Sequence, residues 1–137
     1  MGNSNYKNKC KSLCIKYKYY DGSVYEGEWK DGECHGYGIL KYQGGNVYAG
    51  NWKNGTRSGQ GIYKFFNGTI YEGNFENNNM HGYGICKYKN GDVYSGNWEN
   101  SKKHGYGKHR YSDGTVYKGY WKNNEKLIYI HDNVTIR

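Results

Sequence analysis

The sequence predicts an all-β protein built as an array of stacked hairpins, and three observations carry that prediction. Tyr25, Tyr48, Tyr71, Tyr94 and Tyr117 stand 23 residues apart, and most of the intervening chain repeats at the same step. A period of that size marks an array whose units bury their apolar faces against neighbours. Within each unit the residues alternate with the period of two of a half-buried strand. Turn pairs (Gly44-Gly45, Asn67-Gly68, Asn90-Gly91 and Asp113-Gly114) separate the alternating runs.

The segment 1–12 reads as a flexible basic tail. Gly2 follows Met1, Lys7, Lys9 and Lys11 are basic, and Cys10 and Cys14 lie close by. That arrangement is a candidate acylation signal, with myristate on Gly2 and palmitate on Cys10 or Cys14. Tyr6 occupies the place where such a signal has Ser or Thr. One acyl chain anchors only marginally, so a second chain or the lysines would have to help.

Residues 13–24 supply the second half of a unit, and full units follow at 25–47, 48–70, 71–93 and 94–116. In the first, Tyr25, Gly27 and Trp29 share one face of a strand and Glu26, Glu28 and Lys30 the other. Lys30-Asp31-Gly32 is turn chemistry, and His35-Gly36-Tyr37-Gly38 opens a second strand that continues to Tyr42. Glycine weakens a strand unless a bulge or a neighbouring group needs the space. The column Gly38, Gly61, Gly84, Gly107 is expected to leave room for adjoining rings, whereas turn geometry better explains Gly36, Gly59, Gly82, Gly105. A partial unit begins at Tyr117, and 125–137 is expected to form a capping strand. Leu13 and Ile15 at one end, and Ile128 and Ile130 at the other, replace the glycines where no further unit stacks.

Bulk properties exclude several classes. Hydrophobic residues make up 35% of the 137, and 18 tyrosines dominate the aromatics, so rings must supply most of the core. A chain with 18% aromatics and 22 Gly, yet no Pro, is not of disordered composition. No apolar run is long enough for a membrane span, and no signal-peptide core is visible. The four cysteines lack paired metal spacing, which favours reduced thiols in a cytoplasmic protein. The net charge of +8 favours anionic partners.

The pattern Y-x-G-x-W-x-x-G-x-x-H-G-x-G, carried by YEGEWKDGEC at 25–34 and HGYG at 35–38, resembles the MORN (membrane occupation and recognition nexus) repeat. The resemblance covers roughly residues 13–124. Ser58 replaces His in the second unit, Phe75 replaces Trp in the third, and Asn78 and Ser101 replace the turn glycine. It implies an elongated, twisted, antiparallel single sheet of about ten strands. It also implies a non-catalytic role in organising proteins and membranes.

Two constellations are candidate functional surfaces. Tyr25, Trp29, Tyr48, Trp52, Tyr71, Phe75, Tyr94, Trp98, Tyr117 and Trp121 fall in register as an aromatic face. Such rings either form the core or line a groove for a protein partner. Lys18, Lys41, Lys64, Lys87 and Arg110 recur at the same step as a basic ladder. That ladder either keeps the sheet solvated or meets anionic phospholipid. His35, His81 and His104 are one per unit, too far apart to share a metal, and are expected to bond backbone near the turns. Neither cofactor nor metal is implied, and no catalytic motif is present. The reading is a non-enzymatic scaffold or adaptor that binds a protein along an aromatic groove. Alternatives are a peripheral module at the inner face of a membrane, and an accessory subunit of a separate catalytic protein. Nucleic acid is disfavoured because the Tyr column reads as buried, while exposed end strands leave a homodimer open.

Overall fold

The computed structural model describes residues 13–130 and 133–136, with side chains to residue 128. Gly2, Cys10 and the tail reading fall outside the described residues. Twelve strands form one open antiparallel sheet in chain order. They are β1 (Cys14–Lys18), β2 (Val24–Lys30), β3 (Glu33–Lys41), β4 (Val47–Lys53), β5 (Thr56–Lys64) and β6 (Ile70–Glu76). Then come β7 (Asn79–Lys87), β8 (Val93–Glu99), β9 (Lys102–Arg110), β10 (Val116–Lys122), β11 (Glu125–Ile130) and β12 (Asn133–Ile136). The single capping strand expected beyond residue 124 is corrected to two, β11 and β12. Asn123 and Asn124 take φ of 50° and 71°, so the last unit still closes a hairpin.

Every hairpin within a unit turns on two residues of positive φ, from Asp31 (51°) and Gly32 (78°) to Asn100 (51°) and Ser101 (64°). That geometry matches the right-handed twist of the strands it joins. Asn78 and Ser101 replace glycine without changing the turn. The connections between units are wider loops. In the second of them Tyr42 N–H donates to Asn46 C=O at 2.9 Å and Gly45 N–H to Tyr42 C=O at 3.0 Å.

The tyrosine column solves a problem that the glycines create. Pairing slips between Gly27 and Trp29, and likewise between Gly50 and Trp52, Gly73 and Phe75, and Gly96 and Trp98. Each slip is a bulge, which leaves a backbone group without its ladder partner. The hydroxyls of Tyr25, Tyr48, Tyr71 and Tyr94 donate to the bulge carbonyls of Glu28, Asn51, Asn74 and Asn97 at 2.6–2.9 Å. To reach them, each ring lies across glycine backbone. A Cβ on Gly84 would sit 2.3 Å from the Tyr71 hydroxyl. Gly36, Gly59, Gly82 and Gly105 have φ of 65–92°, so their need for glycine is conformational.

Cross-strand register sorts the side chains into two faces. Tyr25, Leu40, Tyr48, Tyr63, Tyr71, Cys86, Tyr94, His109 and Tyr117 form one continuous row, the inner face. The four interior tyrosines are fully buried, and Trp52, Phe75, Trp98 and Trp121 pack edge-on against them at 5.0–5.6 Å. Each Tyr–Trp contact is repeated within a unit and across to the next, so the core is continuous along the array. A smaller cluster of Ile39 and Ala49 lies on the outer face.

Candidate functional site

The inner face is a trough. Thr69 lies in the loop at one end of the strands and Asn124 in the turn at the other, yet both line one hollow of about 320 Å³. Buried Tyr and Trp rings make the floor. Tyr42, Phe65, Tyr88 and Tyr111, again 23 residues apart, form one wall. The opposite side carries Cys34, Arg57, Met80, Lys103 and Lys126, each paired across its hairpin with Trp29, Trp52, Phe75, Trp98 or Trp121.

Where that last position is basic, its side chain spans the trough. The Arg57 guanidinium lies 5.2–6.0 Å from the rings of Tyr42, Tyr48, Tyr63 and Phe75. It donates to the Tyr42 hydroxyl and, at 2.6 Å, to Asn78 C=O. Arg57 Nε is buried with no partner. Lys103 Nζ sits 4.2 Å from the Trp121 ring and 5.9 Å from Tyr88, and burial pulls its pKa below the usual lysine value. Lys126 Nζ lies 5.0 Å from Tyr111 and 4.8 Å from Tyr117. Cations over ring faces are held by the ring quadrupole, more strongly when shielded from water. No carboxylate lies within 4.0 Å of these three cations among the described residues.

The third unit has Met80 instead, and there the trough is open. Phe65, Met80, Cys86, Tyr88 and Trp98 line the 320 Å³ hollow. A second hollow of about 310 Å³ adjoins it, lined by Tyr88, Asp92, Lys103 and His109. His109 Nε2 lies 3.0 Å from Asp92 Oδ2, and Asp92 Oδ1 accepts from Ser112 N–H at 2.9 Å. The His109 contact is the main reason the Asp92 carboxyl sits below its usual pKa. Asn46 donating to the Tyr63 hydroxyl at 3.1 Å holds the equivalent place two units earlier. Burial shifts other acids the opposite way, making them weaker: the Cys86 thiol is pushed up to about 11 and the Tyr94 hydroxyl up to about 12.

The expected aromatic face is therefore corrected in one respect. Tyr25, Tyr48, Tyr71, Tyr94, Trp52, Phe75, Trp98 and Trp121 are buried, and only Trp29 and Tyr117 are partly open. These ten rings are the floor, and the surface offered above them belongs to the wall and to the spanning side chains. Lys18, Lys41, Lys64, Lys87 and Arg110 lie in one row on the outer face, alternating with Val24, Val47, Ile70, Val93 and Val116. Cys14 is disulfide-bonded, so the reduced-thiol reading is corrected there, and palmitate on Cys14 would require its reduction. Cys34 and Cys86 are free and buried. The histidines also differ from expectation: His81 and His104 face Glu76 and Glu99 at 3.9 and 3.1 Å, and His35 Nδ1 has no partner. No group of three metal-ligating side chains occurs among the described residues. No helix there is long and apolar enough to cross a membrane.

A family model described as MORN repeat matches residues 25–47, 48–70, 71–93 and 94–116. Comparison with curated proteins gave no match. Among solved structures, the chain is similar to the SAS-4 (dCPAP) TCP domain in complex with a proline-rich motif of Ana2 (dSTIL) of Drosophila melanogaster. The identity is 16% and the TM-score 0.32, over 90% of this chain and 82% of that one. A likeness that loose carries no argument about a partner.

Proposed function

Since the chain belongs to the MORN-repeat family, with four matched units spanning 25–116, we propose that it is a non-enzymatic scaffold that docks a protein segment in its inner trough. The observation that carries this reading is the break at Met80. Units whose spanning residue is Arg57 or Lys103 are crossed by their own side chain, and the unit between them leaves a hollow walled by Phe65, Tyr88 and Trp98. Aromatic walls with polar tips suit protein contacts, because they offer large area at small entropic cost. The outer face has a larger hollow of about 560 Å³ over Ala49 and Ile62, but Tyr37 is the one ring that lines it.

Photo-crosslinking tests the assignment. A photoreactive phenylalanine at Phe65 or Asn124 should trap the same partner, and one at Gln60 or Lys87 on the outer face should not. Met80→Arg, which repeats the Arg57 arrangement, should abolish the trough crosslinks while leaving the fold intact. Crosslinks from Gln60 that survive Met80→Arg would move the docking site to the outer face.

A second reading rests on the outer basic row. Five cations on alternate strands stand about 10 Å apart, a spacing that suits contact with an anionic leaflet at about 1 kcal/mol each. Flotation with phosphatidylserine vesicles, comparing wild type with Lys41/Lys64/Lys87→Ala, tests it. Equal flotation of both proteins at physiological salt would remove the row from membrane binding.

A further inference from the structure

The trough's cations say what its occupant must carry. We infer that the docked segment is an acidic peptide with large apolar residues, its apolar side chain filling the hollow at Met80 and its carboxylates reaching Lys103 and Arg57. This rests on the trough being the docking site and goes one step further, to the chemistry of the ligand.

Three facts converge. Arg57, Lys103 and Lys126 are the cations of the inner trough described above, and none has a carboxylate within 4.0 Å among the described residues. Their charge is met by ring faces and, at Arg57, by the Tyr42 hydroxyl and the Asn78 carbonyl, neutral groups that replace only part of what water supplied. Asp92, the carboxylate beside Lys103, is already committed to His109 and to the Ser112 N–H. A ligand carboxylate would therefore meet cations that no carboxylate among the described residues contacts within 4.0 Å.

Shape then selects among anions. Lys103 is half-buried, and its pocket adjoins the Met80 hollow through the shared wall residue Tyr88. A flat bilayer presents headgroups to protruding cations and does not reach ones recessed between two rims. Nucleic acid would need an open run of rings on which bases stack, and the floor rings are buried. A peptide side chain of Leu, Phe or Met size fits the hollow, and an Asp or Glu near it in sequence reaches the ammonium. Complementary charge recessed in this way fixes register more than it adds bulk affinity.

The test is selection of a phage-displayed random peptide library on the full chain, followed by affinities for synthetic copies of the enriched peptides. Enriched peptides should carry Asp or Glu beside a large apolar residue. Their binding should fall at least about tenfold in Lys103→Met and in Met80→Arg, with thermal unfolding confirming that both variants fold. Met at position 80 shows that the site accepts this side chain, which makes Lys103→Met a mild change. Enriched peptides that are neutral or basic, yet lose binding in Met80→Arg, overturn the acidic assignment and leave the trough reading standing. Peptides indifferent to both variants overturn both. The acidic assignment also fails if peptides do not bind while phosphatidylserine vesicles or a single-stranded oligonucleotide bind in a Lys103-dependent way.

Discussion

Gly84→Ala isolates the close approach on which the whole array depends. A Cβ at position 84 would lie 2.3 Å from the Tyr71 hydroxyl and 2.4 Å from two carbons of the same ring. That ring cannot swing away: it is fully buried, and Phe75 and Trp98 pack against it at 5.2 and 5.3 Å. Its hydroxyl also caps the Asn74 bulge carbonyl, at 2.8 Å. Two effects oppose each other. Gly→Ala without strain stabilises by about 0.4–1 kcal/mol through the unfolded chain, whereas forcing a methyl into a filled core costs about 1–3 kcal/mol. Displacing the hydroxyl adds about 1–3 kcal/mol for the orphaned carbonyl. The clash wins, and a net loss of about 2–4 kcal/mol is expected in urea unfolding. In a Tyr71→Leu background the same substitution should cost less than about 0.5 kcal/mol, because the ring and hydroxyl are gone. Equal costs in both backgrounds would refute the argument, since strict additivity means that Gly84 and Tyr71 do not share the space.

Tyr94→Phe leaves the Asn97 carbonyl uncapped and should destabilise by about 1–3 kcal/mol in the same assay, although no apolar contact is lost. Stability should fall as pH rises above 10, because the buried tyrosines, Tyr25, Tyr48, Tyr71 and Tyr94 among them, have folded-state pKa values raised above their usual 10.0 by burial. The sign follows from linkage: the unfolded chain sheds these protons first, so folding stability is intact below 10 and is lost on the way to the folded values. Tyrosinate absorbance should therefore rise together with loss of the sheet signal, not before it. Lys103 acts in the opposite sense, since its lowered folded pKa makes its burial cheaper toward high pH. One lysine does not outweigh several tyrosines, and Lys103→Met should steepen the alkaline loss slightly while raising stability near neutral pH. Asp92→Asn should weaken the loss of stability on acidification below about pH 4, because the carboxyl of Asp92 is held low mainly by His109.

The fold was legible because its determinants are local and repeated. Asp31-Gly32 and Asn54-Gly55 announce their turns by type, and the Tyr and Gly columns occupy matching positions in every unit. Gly36 and Gly38 could even be assigned different roles, and their φ values and neighbours bear that out. The bulge was not legible, since a slipped register at Glu28 looks in sequence like ordinary alternation. The trough was hidden for a different reason. Cys34, Arg57, Met80, Lys103 and Lys126 share the 23-residue step but differ in chemistry, so no residue type marks the column. What they share is a place two or three residues past the turn, from which long side chains cross to rings at the other strand end. Only the bend of the strands brings Arg57 to Tyr42. The outer row, by contrast, was fully visible, because Lys41, Lys64 and Lys87 repeat as the same residue.

The docking claim turns on Met80, and the chain offers a clean probe of it because Met1 and Met80 are its only methionines. Methyl-labelled methionine gives two carbon–proton resonances, assigned by Met80→Leu. Titration with a bound partner segment should shift or broaden the Met80 methyl in step with binding, through ring currents from Phe65, Tyr88 and Trp98 as the hollow fills. Saturated binding with the Met80 resonance unmoved would contradict the account.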